Sequence, residues 1–129
     1  MSKLVIDSSA WIEYFTGTEK GEKVRGFLAK SDSFPLITGV IATEVITKFL
    51  RSGYSAAEIA TALGSVALFV PYGISLAQKT AEVYAKQRKA KPKFGVADAN
   101  VLAAAMLNNA KVITCDADFA GIPEAVVIK

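Results

Sequence analysis

Short apolar runs alternate along the chain with longer segments in which apolar residues recur every three or four positions. Apolar runs at 3–6, 112–115 and 125–129, together with "SFPLITG" and "LFVPYG", predict five short strands. The longer periodicity predicts helices between them, over 7–15, 19–30, 40–51, 55–67, 75–89 and 96–109.

This alternation predicts an α/β fold with a central parallel sheet and helices on both faces. At 129 residues, the chain is expected to form one domain, spanning 1–129. Ligands of such sheets collect at the carboxyl ends of the strands. Polar residues that directly follow a strand therefore carry information about function.

Composition narrows the class of protein. Apolar residues make up 52% and charged residues 21%, which indicates a globular chain with apolar surface left for a second chain to cover. The uncharged stretch 59–78 is interrupted by Gly64, Pro71 and Gly73, so we predict no membrane span. The start lacks a signal peptide and Cys115 is the single cysteine, which together predict a cytoplasmic protein.

Charge and histidine content limit the chemistry. The chain has no histidine, which excludes mechanisms that use a histidine base. The net charge of +3 and the pI of about 9.0 permit a polyanionic partner without requiring one.

Four acidic residues lie where carboxylates are unexpected. Asp7 and Asp116 each end an apolar strand, Glu44 lies within the apolar segment "GVIATEVITKFL", and Asp98 begins an otherwise almost uncharged helix. Burying an isolated carboxylate is costly. One cluster around a cation explains all four together.

Each acid also has a local explanation. Asp7 fits a helix cap, Asp98 a favourable charge at a helix N-terminus, and Asp116 a turn residue. Glu44 fits an ion pair with Lys48 one helical turn later. These explanations remain open, but a joint site needs fewer coincidences. Carboxylate ligands without histidine favour Mg²⁺ or Mn²⁺, which serve phosphoryl chemistry.

Four segments, "LVIDSSAWIEYF", "TEVITKFL", "FGVADANVLAAA" and "VITCDADF", resemble in order and spacing the PIN-domain ribonucleases, above all the VapC-type toxins of toxin–antitoxin pairs. The resemblance covers nearly the whole chain. It implies a PIN-like α/β/α sandwich and endonucleolytic cleavage of RNA by a metal-activated water. It also implies a homodimer and a cognate antitoxin protein.

The resemblance assigns roles residue by residue. It implies that Mg²⁺ or Mn²⁺ is held by Asp7, Glu44, Asp98 and Asp116. Asp118 is a further ligand, a supporting residue or a turn residue. Small hydroxyl side chains at Ser8 and Thr114 are expected to orient the pocket or contact phosphate. Asn100 either assists or is exposed.

A basic run precedes Asp98 and is a candidate RNA-binding rim, because phosphate contacts supply most non-specific affinity. It consists of Lys86, Arg88, Lys89, Lys91 and Lys93, with Lys48 and Arg51 as further candidates. The alternative is a solvated helix end.

Aromatic and apolar residues on the first and third helices are candidates for a protein interface: Trp11, Tyr14, Phe15, Phe49 and Leu50. Trp11 and Phe15 fit the core equally well. Two other functions remain open. A catalytically silent PIN-like module would bind RNA or protein, and a phosphatase would use Asp7 as its nucleophile, although Ser9 stands where such enzymes carry a second aspartate.

Overall fold

Five parallel strands form one sheet in the computed structural model, which describes residues 3–31 and 33–129. The sheet has the order β3-β2-β1-β4-β5. The strands are β1 (Lys3–Ile6), β2 (Leu36–Ile37), β3 (Leu68–Phe69), β4 (Ala110–Thr114) and β5 (Ala125–Val127). Helices flank the sheet, so the predicted PIN-like α/β/α architecture is confirmed.

Six α-helices connect the strands within the described residues. They are α1 (Ser8–Thr16), α2 (Glu19–Ala29), α3 (Gly39–Arg51), α4 (Ala56–Val66), α5 (Ile74–Arg88) and α6 (Val96–Leu107). A short 3₁₀ helix covers Ala117–Phe119, where the sequence predicted no helix.

The predicted boundary between α6 and β4 is wrong by two residues on each side. Helix α6 ends two residues before the predicted Asn109, and β4 starts at Ala110 instead of Val112. Asn109 has a positive φ of 52°, which ends the helical conformation. Ala110 then pairs with Lys3 of β1, so tertiary pairing extends the strand beyond its most apolar part.

Strand order places the ends of β1 and β4 side by side. Val5 is paired with Val112 and Ile6 with Ile113, and the backbone N–H of Asp7 donates to the carbonyl of Ile113 at 2.9 Å. Successive strands extend the sheet in one direction from β1 to β3 and in the other from β4 to β5. The boundary between β1 and β4 is therefore the switch point at which such sheets bind ligands.

The core is built around this pair of strands. Residues 99–105 of α6 are all buried, and the four alanines among them allow the helix to pack closely. Trp11 of α1 is fully buried, so its alternative interpretation as a core residue is correct. Within residues 3–31 and 33–129, no helix is long and apolar enough to cross a membrane.

Candidate active site

Asp7 lies directly after β1 at the carboxyl edge of the sheet and is 4% exposed. Its Oδ1 accepts a hydrogen bond from the backbone N–H of Ser8 at 2.8 Å, which caps α1. Its Oδ2 accepts from the hydroxyls of Ser9 at 3.1 Å and Thr114 at 2.7 Å. The helix cap is thus real, and it coexists with a set of bonds that fixes this carboxylate at the strand end.

Asp98 and Asp116 also have the local roles that the sequence left open. Oδ2 of Asp98 accepts from the backbone N–H of Gly95 at 2.9 Å at the start of α6. Oδ1 of Asp116 accepts from the backbone N–H of Asp118 at 2.9 Å and caps the 3₁₀ helix. Each cap engages one oxygen, which leaves the second oxygen of each carboxylate for another ligand.

Three carboxylates come together at this edge. Side-chain oxygens of Asp98, Asp116 and Asp118 lie within 4.8 Å of one another. Asp118, which the sequence left undecided, is therefore a member of the compact group. Asp7 and Glu44 lie outside this group.

The apolar neighbours of Glu44 in the sequence suggested that it would be buried, but it is not. Its side chain on α3 is exposed, and its Oε1 accepts from the hydroxyl of Ser8 at 3.0 Å. Across the described ranges, no ion pair joins Glu44 to Lys48. The Ser8 contact places Glu44 beside the residue that follows Asp7.

Burial and mutual repulsion raise the pKa of two of the acids. Burial raises the pKa of Asp7 above its ordinary value of 3.8, and the charge of Glu44 raises this pKa further. Burial also raises the pKa of Asp98, and the charges of Asp116, Asp7 and Asp118 add to the increase. The electrostatic coupling therefore connects all five acids, including the two outside the compact group.

Two hydroxyls link Asp7, which follows β1, to the backbone of the residues that follow β4. Thr114 donates to Asp7 and accepts from the backbone N–H of Asp116 at 3.0 Å. Ser9 donates to Asp7 and accepts from the backbone N–H of Cys115 at 3.0 Å. The role of Ser9 escaped sequence reasoning, because a serine near a helix start is ordinarily a capping residue.

The donor atoms suit a divalent hard cation. The compact group offers only carboxylate oxygens, which Mg²⁺ and Mn²⁺ prefer. Three oxygens within 4.8 Å of one another are close enough for one cation to be held between them. Burial raises the pKa of the Cys115 thiol, which disfavours the thiolate form that binds metals.

Comparison with known proteins gives the family. The PIN-domain family matches residues 4–125. The chain belongs to this family. No curated protein matches the sequence significantly.

Solved structures share this PIN fold over nearly their whole length. A toxin–antitoxin complex from Klebsiella pneumoniae contains a chain with 24% identity and a TM-score of 0.78, covering 98% of this chain and 97% of that one. VapC20, a sarcin–ricin loop cleaving toxin of Mycobacterium tuberculosis, has 19% identity and a TM-score of 0.74, covering 98% and 100%. DNA-bound VapBC from Salmonella typhimurium has 22% identity and a TM-score of 0.71, covering 98% and 97%.

The basic run of the PIN domain divides into two groups. Arg88 donates to the hydroxyl of Tyr84 at 2.6 Å and to the carbonyl of Phe94 at 3.3 Å. Lys91 donates to the carbonyl of Ala120 at 2.8 Å. The remaining three lysines, Lys86, Lys89 and Lys93, are exposed.

Two of the candidate interface residues of the PIN domain are buried. Trp11 is fully buried and Phe49 is 7% exposed, whereas Leu50 is 52% exposed. A cavity of about 200 Å³ is lined by Phe15, Phe49, Tyr54, Ile59 and Ala62. Asn100 is buried, and its Nδ2 lies 3.5 Å from the hydroxyl of Thr80, so the alternative in which it is exposed is wrong.

Proposed function

We propose that this PIN domain, acting as one domain over 1–129, is a Mg²⁺- or Mn²⁺-dependent endoribonuclease and the toxin of a type II toxin–antitoxin pair. The observation that carries the proposal is the group formed by Asp98, Asp116 and Asp118 at the switch point of the sheet. Asp7 is distant from this group in sequence but close to it in space, since the hydroxyl of Thr114 bonds to both Asp7 and the backbone of Asp116.

A phosphodiester brings further negative charge to a site that already holds several carboxylates. When bound, a divalent cation would neutralise this charge and make a water molecule more acidic. Asp98, Asp116 and Asp118 would hold the cation, and Asp7 and Glu44 would complete the acidic pocket. The backbone and hydroxyl donors around Asp7 hold its carboxylate in one orientation.

Some acids of the proposed site are held by hydrogen bonds in the interior, whereas others are exposed. Thr114 and Ser9 fix the buried Asp7, and Thr114 also holds the backbone of Asp116. Ser8 holds the exposed Glu44. This division supports a site whose inner part binds the cation and whose outer part meets RNA. Lys86, Lys89 and Lys93, all exposed, would bind the phosphates of RNA.

Partner proteins are the second part of the proposal. Structures with the same fold include toxin–antitoxin and VapBC complexes. We propose a cognate antitoxin that inserts an apolar side chain into the 200 Å³ cavity beside α1 and α3. We also propose a cytoplasmic homodimer, formed through the exposed apolar residues Leu68, Phe69, Tyr72 and Ile74.

The test is RNA cleavage with Mg²⁺ or Mn²⁺ and with EDTA, comparing wild type with Asp98→Asn. Asparagine at this position keeps an oxygen for the N–H of Gly95, so the helix start is preserved. We expect cleavage to fall about 100-fold or more. Glu58→Gln, an exposed change on α4, is the matched control and should cleave like wild type.

Equal cleavage by wild type and Asp98→Asn would overturn the proposed site. Asp7→Asn, tested in parallel, is expected to be equally inactive. RNA binding without cleavage, and without dependence on metal, would identify the protein as a binding module instead.

A further inference from the structure

Two contacts join the loop before α6 to the 3₁₀ helix. Nζ of Lys91 donates to the carbonyl oxygen of Ala120 at 2.8 Å, across 29 residues of sequence. The ring of Phe94 lies 5.5 Å from the ring of Phe119, and both side chains are fully buried. A polar and an apolar contact therefore hold the same two segments together.

These segments carry the three clustered acids. The loop continues from Phe94 to Gly95, whose N–H is bound by Asp98. The 3₁₀ helix carries Asp118 and begins after Asp116, its cap. Ala120, which accepts the Lys91 bond, is the residue that ends this helix. The two contacts consequently set the distance between the start of α6 and the 3₁₀ helix.

Repulsion between carboxylates acts to increase this distance. Asp98 projects from one segment and Asp116 and Asp118 from the other, with oxygens within 4.8 Å. Like charges at this range repel. In the absence of a cation, repulsion would separate the segments unless other contacts oppose it.

We propose that Lys91 is a positioning residue for the divalent cation: through the carbonyl of Ala120, and together with the Phe94–Phe119 contact, it keeps Asp98 at ligand distance from Asp116 and Asp118. The inference rests on the proposed function only in assigning a cation to these acids. It gives Lys91 a task different from that of the exposed lysines Lys86, Lys89 and Lys93.

Metal affinity distinguishes positioning from a simple charge effect. If Lys91 acted only as a nearby positive charge, its removal would strengthen the binding of a cation, because one repulsion would be lost. If it positions the carboxylates, its removal weakens binding because the ligands move apart. The two roles thus predict changes of opposite sign.

The experiment measures Mn²⁺ affinity by titration calorimetry in protein free of RNA, which removes any contribution of Lys91 to RNA binding. Lys91→Met is expected to weaken Mn²⁺ binding about 3- to 10-fold, somewhat less than changes at direct supports of ligands. Lys91→Arg keeps a donor for Ala120 and should restore most of the affinity. Lys111→Met is the matched control. Lys111 also donates to a backbone carbonyl, that of Pro123 at 3.3 Å, but this contact does not involve the segments that carry the three acids.

Mn²⁺ affinity in Lys91→Met equal to or higher than that of wild type would overturn the inference and leave the proposed function intact. Equal weakening in Lys111→Met would also overturn it, since the effect would not be specific to this contact. If wild type itself binds no Mn²⁺, the proposed function fails and the inference fails with it. Melting temperatures of all variants, measured without metal, establish that each is folded at the temperature of titration.

Discussion

The hydroxyl of Thr114 donates a 2.7 Å hydrogen bond to Oδ2 of Asp7, across 107 residues of sequence and between the ends of two neighbouring strands. The same hydroxyl accepts from the backbone N–H of Asp116. One buried side chain therefore aligns an acid that follows β1 with an acid that follows β4. Because this hydrogen bond favours the ionised carboxylate, it lowers the pKa of Asp7 against the larger effect of burial.

Replacing Thr114 tests this relationship. Thr114→Val keeps the shape but removes one of the donors to the buried carboxylate of Asp7 and leaves the backbone N–H of Asp116 without its partner. We expect this change to lower the free energy of unfolding by roughly 1–3 kcal/mol. Thr114→Ser retains the hydroxyl and should lose clearly less. Urea unfolding of both variants measures the difference. If valine and serine destabilise equally, packing of the methyl group matters and the hydroxyl does not.

The raised pKa values of Asp7 and Asp98 predict an unusual dependence of stability on pH in metal-free protein. Because the folded state binds these protons more tightly than the unfolded state, the stabilisation is fully present below the ordinary pKa of 3.8. It is lost as pH rises through the raised pKa of the folded protein. Asp98→Asn cannot ionise, so it should gain stability relative to wild type between about pH 4 and pH 7.

Urea unfolding in EDTA across this pH range checks the prediction. Added Mn²⁺ should stabilise wild type more at pH 7 than at pH 4, since the cation binds the ionised carboxylates. A difference between Asp98→Asn and wild type that stays constant with pH would show that Asp98 does not titrate in this range.

Replacing Asp118 tests whether its side chain is a metal ligand or the residue serves only in a turn. Its backbone N–H makes the bond to Asp116, and this bond survives in Asp118→Asn. We expect Asp118→Asn to weaken Mn²⁺ binding about tenfold with little change in melting temperature. Unchanged affinity would leave Asp118 with only its turn role. Asp116→Asn, which retains the cap oxygen, serves as the positive control.

The exposed lysines predict how RNA binding depends on salt. We expect replacement of Lys86, Lys89 and Lys93 by glutamine, in an Asp98→Asn background that does not cleave, to reduce the slope of log affinity against log salt by up to about 2. Fluorescence anisotropy at several salt concentrations measures the slope. Lys111→Gln is the single-site control. A slope that the triple change leaves unaltered would place the RNA elsewhere.

The exposed apolar surface predicts the oligomeric state. Ile74 is 83% exposed and lies five residues after Phe69, which is 56% exposed and belongs to the edge strand β3. Ile74→Asp should convert a dimer into a monomer in light scattering, because it places a charge within the proposed interface. Leu107→Asp, at an apolar residue that is 49% exposed on α6, should remain dimeric. A monomeric wild type would contradict the proposal outright.

Much of the fold follows from the sequence because apolar periodicity and turn residues change together. The two-residue strands β2 and β3 were found because "SFPLITG" and "LFVPYG" are apolar and bounded by glycine or proline. The ends of α6 and β4 were misplaced, since pairing of Ala110 with β1 decides them and no local pattern records that pairing.

Some features of the candidate site likewise follow from the sequence, and others do not. Carboxylates at strand ends are visible in sequence because they interrupt apolar runs, and the assignment of Asp7, Glu44, Asp98 and Asp116 to a metal stays a prediction. The contacts of Ser9 and Lys91 were not foreseen. Each joins positions far apart in the chain, and each depends on where a side chain points after the sheet has formed.

The pairing of β1 with β4 also constrains the order of folding. Asp7 directly follows β1, whereas Asp116 follows β4, and only a contact of high sequence separation brings them together. Contacts of this kind form late, because closing a long loop costs entropy before any pairing repays it. An intermediate in which β1 has not yet paired with β4 is therefore expected to lack the link between Asp7 and Asp116. The proposed acidic pocket is completed only when this pairing has formed.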